Sequence, residues 1–450
     1  MALLCFACGD NERPLSPVPE LVPAIDMNPD PKIVEVTLVA TAATVEYESG
    51  RAANVLAYRD GAVDGSAAIV PGPMIVANEG DRLIVHFKNE LDRESSIHWH
   101  GLRLPREMDG VDAIPAGASF DYDFVLRDAG WFWYHPHIET DEQIDLGLQG
   151  TLLVRGANEP AIARARLFVL DDIELDDRGE VVIEPSRDDL VHGRRGDTLL
   201  VNGKPPGFVV ASPNSVERWR LVNTSNGRFF KLRVGVPMRV IGWDGGLIPT
   251  PYDVDELLLG PGERYDVVVA FDDRSEMRLE TLEVRRGHDT VDAAAELVRI
   301  RLDGPVVARD SIPDVGPPLA RLPVTAQTVS RRFELSESLD GPAGVVYFVN
   351  DQRWPLNTPV DVKLGDLEVL EVVNDTDGEH PMHIHGFFVE VLDRDGVPEP
   401  RLGRKDTVVL GPRSTLRAAL VYDEPGMWMF HCQIPEHAER GMTADIDVHP

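Results

Sequence analysis

A pair of alternating strands, repeated three times along 450 residues, constrains this chain more than any other feature. From Gly80 to Asn89, Leu83, Val85 and Phe87 alternate with other residues and the run ends in Asn. Ser215–Asn223 repeats the pattern with Trp219 and Leu221, and Gly365–Asn374 with Leu370 and Val372. Each copy is followed by a Gly/Pro turn and a second alternating run, at Pro115–Phe124, Gly260–Val269 and Gly411–Leu420. A period of two marks strands, and few helical periods compete with it, so the expected class is all-β. Three antiparallel β-sandwiches of about 130 residues each fit the length. The expected units are residues 32–157, 163–304 and 328–450, with 1–31 as signal remnant and linker. The stretch 304–328 is rich in Pro, Gly and Asp and lacks alternation, as a linker does. Short helices are expected within 141–149 and 434–442.

The second constraint is a lone thiol. Cys432 is the only cysteine beyond the first eight residues, so it has no disulfide partner there. His437 follows five positions on and Met442 ten positions on. A thiolate, an imidazole and a thioether on one short loop are soft ligands that suit a copper ion cycling between two oxidation states. His380 is the natural second imidazole. The competing reading is a buried, inert cysteine, the commoner fate of a lone Cys.

Of 13 histidines, nine fall in four short motifs at matching places in the first and third repeats, counting His437 at the end of the His431-Cys432 stretch. His98-Trp99-His100 answers to His380, His383 and His385, and His135-Pro136-His137 answers to His431-Cys432-Gln433. The second repeat has no histidine at the first of these places; Asn226 stands there. Residues i and i+2 of a strand share a face, so each His-x-His aims two rings one way. Two such pairs from the first repeat facing two from the third make an interdomain cage. Cys432, of opposite parity, reaches a separate centre one residue from the cage ligand His431. That arrangement conducts electrons. His86, His192, His288 and His449 fall outside the motifs and read as surface residues.

In these four motifs, in order, the chain resembles a three-domain, laccase-like bacterial multicopper oxidase over roughly residues 32–450. The Pro71–Ile75 segment with Gly80-Asp81, and Met108-Asp109-Gly110, also resemble landmarks of that family. The resemblance implies cupredoxin-like Greek-key sandwiches and up to four copper ions. It implies a type 1 copper held by His380, Cys432 and His437 with Met442 axial. It further implies a type 2 copper on His98 and His383, and a type 3 pair on His100, His135, His137, His385, His431 and position 433. The implied reaction takes single electrons from phenols or aromatic amines and reduces O2 to water. Asp109 matches a family acid and is the implied proton donor, and Glu439, two residues after His437, is a second candidate by position, both against the alternative of solvated or turn-forming acids. Cuprous oxidases carry methionine-rich segments, and this chain has 10 Met with no cluster. Further alternatives are a copper-resistance protein or a non-catalytic copper-binding or electron-transfer protein.

One position departs from the pattern. Residue 433 is Gln where both the family and the internal match to His137 call for His. A Gln carbonyl is a harder, weaker donor to copper than an imidazole, so slowed oxygen chemistry is the expectation.

The formal net charge of −32 excludes a nucleic-acid surface and favours cationic partners. No stretch approaches the roughly 20 apolar residues of a membrane span. Residues 1–8 are apolar, with Ala7 before Cys8, and resemble the end of a lipoprotein signal. The expectation is a periplasmic or cell-surface protein with lipid on Cys8. A frayed tail with two incidental cysteines, or a Cys5/Cys8 metal or redox pair, are the other readings.

Overall fold

Each of the three repeated strands pairs in parallel with an earlier strand and antiparallel with the second strand of its own repeat. Arg82–Asn89 lies between Ile33–Glu48 and Ser119–Val125. Val216–Asn223 lies between Arg164–Ile173 and Arg264–Ala270. Leu367–Asn374 lies between Val329–Gly341 and Thr415–Val421. The computed structural model describes residues 15–48 and 51–450, so the Cys5 and Cys8 readings lie outside the described residues.

The Asn that closes each strand does the same work three times. Asn89 Nδ2 donates to the carbonyls of Arg93 and Ile114, at 2.8 and 2.9 Å. Asn223 Nδ2 donates to Arg228 and Leu259, at 2.8 and 3.1 Å. Asn374 Nδ2 donates to Gly378 and Gly411, both at 2.8 Å. In each case the amide ties the loop that follows it to the turn that opens the second strand. Bridging two carbonyls from inside the fold explains why a polar residue ends an otherwise apolar pattern.

The resulting sheets stack as three sandwiches. In the first, a four-stranded sheet containing Arg82–Asn89 faces one ordered Ile75–Asn78, Gly150–Arg155, Gly130–His135, His98–His100. The middle and third sandwiches each pair a six-stranded with a five-stranded sheet. The alternating residues fill the cores: Leu83, Val85, Phe87, Trp219 and Leu221 are all 0% exposed. One apolar cluster runs unbroken from Phe87 and Trp99 of the first sandwich to Phe430 and Trp428 of the third. The middle sandwich has a cluster of its own around Trp219 and Phe230. The chain is all-β, as the alternation implied, with short helices at the edges of the sandwiches.

Three of these helices meet beside the Cys432 loop: α1 (Thr140–Asp145), α2 (Arg187–His192) and α3 (Pro435–Glu439). α3 falls inside the stretch 434–442 expected to be helical, and α1 overlaps the stretch 141–149 but starts one residue before it and ends four residues earlier. α2 carried no periodicity to reveal it. A capping box made by Ser186 and Asp189 starts it, and Gly193 follows its last residue. α3 packs against both α1 and α2, so one helix from each sandwich joins at this point.

Candidate copper centres

The pleat delivers the expected division of faces. Trp99 packs into the core against Tyr122, Phe124 and Tyr134, with ring centroids 5.5, 5.6 and 5.6 Å away. Its neighbours His98 and His100 turn the other way and meet the third sandwich. The His98 ring stacks on His385 with centroids 4.0 Å apart, and His100 stacks on His383 at 3.7 Å. His135 lies 5.2 Å from His98, and His137 lies 5.2 Å from His431. Seven histidines from two sandwiches therefore share one buried space, with only His137 partly open to solvent.

Outer partners settle which ring nitrogen faces that space. His98, His383, His135 and His431 each donate Nδ1–H to a main-chain carbonyl, of Asp109, Asp406, Pro136 and Cys432, at 2.9, 3.0, 2.8 and 2.8 Å. A carbonyl only accepts, so the proton is on Nδ1 and the Nε2 lone pair points away from it. His385 donates Nδ1–H to Asp109 Oδ2 at 2.8 Å. His100 is the reverse case: Nε2–H faces Asp406 Oδ1 at 3.2 Å, leaving Nδ1 free. The free nitrogens of His98, His100, His135 and His383 are buried without any hydrogen-bond partner. Nε2 of His385 and Nε2 of His431 approach to 2.9 Å with no proton between them. Burial drives the His431 ring down to about 3, so it is neutral. Converging, unprotonated, unpartnered imidazole nitrogens are stable together only around cations, and this donor set fits copper.

Gln433 sits where an eighth ring would be. It is 4% exposed, and its Oε1 has no hydrogen-bond partner. The turn at Gly262 of the middle sandwich closes over it: a Cβ there would lie 2.6 Å from Gln433 Cγ and 3.1 Å from His100 Cε1. Gln433 thus carries a bare carbonyl oxygen under the same glycine that His100 lies against.

The second centre has the same logic. Cys432 Sγ lies 3.6 Å from Nδ1 of both His380 and His437, and those two nitrogens are 3.2 Å apart. His380 Nε2–H is held by Thr376 Oγ1 at 2.8 Å, and His437 Nε2–H by the Val191 carbonyl at 3.2 Å. Both lone pairs therefore face the sulfur. Burial pushes the Cys432 thiol far above its ordinary range, so a thiolate here needs a bound cation. Met442 is fully buried, and its carbonyl accepts from Cys432 N at 3.0 Å. Outer groups that fix the ring tautomers are what a working metal site requires.

Both candidate acids lie at the cage, in different settings. Asp109 is 1% exposed and spans two of its rings, His98 and His385. Burial works to raise its carboxyl, but His98, Arg106 and His137 together hold it below the usual range. Glu439 is exposed and lines a cavity of about 170 Å³ together with His137, His431 and Gln433. Its Oε1 accepts from Thr140 N at 3.2 Å.

Sequence reasoning missed the residues that support these centres. Asp406 and Thr407 hold His100 and His383, and Arg264 of the middle sandwich holds Asp406. Glu436, beside His437, is fully buried and pushed up to about 8 by burial, with Asn226 Nδ2 donating to it at 3.0 Å. None of these is marked by spacing. His192 requires a correction: it is the last residue of α2 and is 8% exposed, not on the surface, because α2 folds down over His437. His288 is also mostly covered, its side chain 15% exposed. His86 and His449 stay at the surface, paired with Asp121 and Asp361.

Comparison with known proteins agrees with this geometry. Family models described as multicopper oxidase match residues 53–159, 182–278 and 320–450. The multicopper oxidase MmcO of Mycobacterium tuberculosis is 30% identical over 433 residues, covering 84% of this chain and 81% of that protein. A multicopper oxidase from Campylobacter jejuni described as a metallo-oxidase superposes with a TM-score of 0.85 at 25% identity, covering 98% of each chain. A laccase-like multi-copper oxidase, CueO from Ochrobactrum sp., is described as active towards lignin model compounds. It superposes with a TM-score of 0.81 at 26% identity, covering 96% of this chain and 100% of that one. The chain belongs to the multicopper oxidase family, and its three sandwiches are cupredoxin-like. Members of that family are copper-dependent oxidoreductases that use O2.

Proposed function

We propose that this chain takes single electrons from a small reductant at the Cys432 centre and reduces O2 within the histidine cage. The observation that carries the proposal is the set of inward, unpartnered nitrogens on His98, His100, His135 and His383. His98 and His383 would hold one copper. His137, His385 and His431 would hold a second, and His100 and His135, with Gln433, a third; His380, Cys432, His437 and Met442 would hold the fourth. Bound copper supplies the one-electron steps and the four-electron reduction of O2 to two waters. The chain supplies geometry and protons. Adjacent residues His431 and Cys432 connect the two centres by one peptide. Asp109 orients two rings, and Glu439 stands where protons from solvent reach the cage. The bare Gln433 oxygen is a weaker donor than imidazole, so the oxygen step runs slower than in an all-histidine cage.

Phenols and aromatic amines are the donors that a laccase-like site favours. A metal-ion donor is the second reading. It is supported by the burial of His380, Cys432 and His437, at 0, 0 and 1% exposed, beneath α2, where a bulky ring has no ligand to stack on. The reading of three units at 32–157, 163–304 and 328–450, working outside the cytoplasm, belongs to the same proposal. No helix among the described residues is long and apolar enough to cross a membrane.

The test is oxygen uptake by copper-loaded protein with a simple phenol, beside Gln433→His and Cys432→Ser. Uptake well above Cys432→Ser is expected, with a further gain of about 10–100-fold in Gln433→His, the range over which metal-site partners act. If only Gln433→His consumes oxygen, the native chain is a blue electron-transfer or copper-holding protein.

A further inference from the structure

A cavity of about 250 Å³ lies where the first sandwich, the middle sandwich and the linker meet. Trp131 reaches it from the first sandwich, Arg218, Arg220 and Trp243 from the middle one, and Pro317 and Pro318 from the linker. Among the described residues, no cage histidine and no residue of the Cys432 loop lines it. Arg264 also borders it, but its guanidinium is committed to Asp406 and, through Nε, to the Trp131 carbonyl at 3.0 Å.

The charges on its walls are unequally served. Arg218 and Arg220 stand two apart on one strand, so their side chains share a face. Arg218 donates from Nε and Nη2 to Asp266 and from Nη1 to Glu159. Arg220, 5% exposed, makes one hydrogen bond, from Nη2 to Glu159 at 2.9 Å, and its Nε stands 3.6 Å from Asp266. Burial opposes the Arg220 charge most, Asp266 offsets part of that, and Arg218 opposes it again, which leaves the group below its usual range. Trp131, 4% exposed, holds its Nε1–H without a partner. The nearby acceptors are already spent. Both oxygens of Asp266 serve Arg218, those of Glu159 serve the two arginines and Gly156 N, and those of Asp128 serve Arg103. Glu79, the remaining acid on the walls, is exposed to solvent. Buried donors are left over, and what they lack is an acceptor.

We propose that this cavity binds a small aromatic carboxylate, whose oxygens take the unused Arg220 nitrogens and the Trp131 N–H while its ring lies among Trp243, Pro317 and Pro318. A guanidinium matches a carboxylate in plane and spacing, which makes the pair selective for that anion. Indole and proline walls suit an aromatic ring, and the volume falls below the roughly 300–1,000 Å³ of drug-sized sites, so a single ring is the limit. The linker supplies the entrance. Gly316 N is held by the Pro249 carbonyl at 3.0 Å and Leu322 N by Glu390 Oε2 at 2.8 Å, while Pro317 and Pro318 between them have no N–H to pin. A ligand here touches no copper ligand, so it is not placed to give electrons directly to either centre. The inference goes beyond the oxidase reading and needs none of its steps.

The test is calorimetric titration of the copper-loaded full chain with benzoate, which carries no hydroxyl to oxidise, beside benzamide, its neutral counterpart. Benzoate should occupy one such site per chain and raise Tm, with benzamide at least tenfold weaker. Arg220→Gln should weaken benzoate at least tenfold. Leu319→Trp, which fills the cavity from the linker and leaves both arginines in place, should do the same. A cooperative thermal transition reports that each variant is folded, and Leu319→Trp alone decides the matter if Arg220→Gln is not. Absence of both heat and Tm shift at millimolar benzoate means that the cavity holds only water, and overturns the inference. Benzamide binding as tightly as benzoate overturns it too, because the charge is then not read. Benzoate binding that survives unchanged in Leu319→Trp places the ligand elsewhere and rejects the site. Each of these outcomes is independent of whether the chain reduces O2.

Discussion

Arg264 and Asp406 form a two-point ion pair inside the molecule, Nη1 to Oδ1 and Nη2 to Oδ2 both at 2.5 Å, with neither side chain more than 1% exposed. The pair joins the middle sandwich, which contributes no cage histidine, to the cage itself. Asp406 Oδ1 faces His100 Nε2 at 3.2 Å, and the Asp406 carbonyl holds His383 Nδ1 at 3.0 Å. A buried pair adds little net stability, but deleting one partner leaves a charge stranded in low dielectric and costs about 3–5 kcal/mol. Arg264→Met is therefore expected to lose about 3–5 kcal/mol in denaturant unfolding. It should also lose copper from the cage while the Cys432 centre keeps its blue colour. Metal analysis of the folded variant checks the second half: a full cage would show that Arg264 does not position these rings.

The three repeated Asn residues make the same bonds but stand before different loops, so their replacement should separate structure from function. Removing a buried amide that satisfies two carbonyls costs about 1–3 kcal/mol. Asn223→Ala and Asn374→Ala should both pay roughly that in unfolding free energy. Only Asn374→Ala should change the blue spectrum and the type 1 potential. Asn374 Oδ1 accepts from Thr376 N at 3.1 Å, and Thr376 Oγ1 orients His380 at 2.8 Å. Absorption spectra and a redox titration of both variants decide it. An altered blue band in Asn223→Ala would break the argument.

What the sequence made legible follows from local rules. The alternation at Leu83, Val85 and Phe87 reports burial directly, because the pleat sends every second residue inward. The same rule placed His98 and His100 on one face and Trp99 on the other. The repeat located a histidine's absence at Gln433 by comparison with His137. What stayed hidden depends on long-range contact. Asp406, Arg264 and Val191 reach the metal-site rings through tertiary packing, with no period or spacing to announce them. His192 was misread because α2 is six residues long, too short for a periodic signal, and its ring packs against His288, 96 residues further along the chain. Glu436 was passed over because a charged residue on a five-residue helix normally faces water.

Glu439 and Glu436 lie on the same helix and should respond differently. Glu439 opens to solvent and lines the cavity that reaches His137, His431 and Gln433. If it passes protons to the cage, Glu439→Gln should slow steady oxygen uptake by about 100-fold, the lower end of what positioned acids contribute. Anaerobic reduction of the blue centre by the same donor should be unchanged, because that step needs no proton from this side. Stopped-flow bleaching beside oxygen-electrode rates reads both. Equal slowing of the two would place Glu439 in the packing of α3 and not in proton supply.

Asp171 offers a test of the fold's pH dependence that is independent of copper. It is 8% exposed, its Oδ1 accepts from Asp172 N at 2.9 Å, and Gln149 Nε2 donates to its other oxygen. Burial first, then the neighbouring charge of Asp172, pushes the Asp171 carboxyl up to about 8. An unfolded Asp titrates near 3.9. Between those values the folded chain holds a proton that the unfolded chain has released. Stability therefore falls as pH rises from about 4 through about 8, by at most ~1.4 kcal/mol per pH unit for this one group. Asp171→Asn keeps the shape and removes the titration, so its Tm relative to the native chain should climb steadily from pH 5 to pH 8 and level off above. The comparison with the variant cancels the general repulsion expected of a chain with net charge −32. A Tm difference that stays flat over that range would mean that Asp171 is ionised in the folded protein. The partner for its charge would then have to be sought around Gln149.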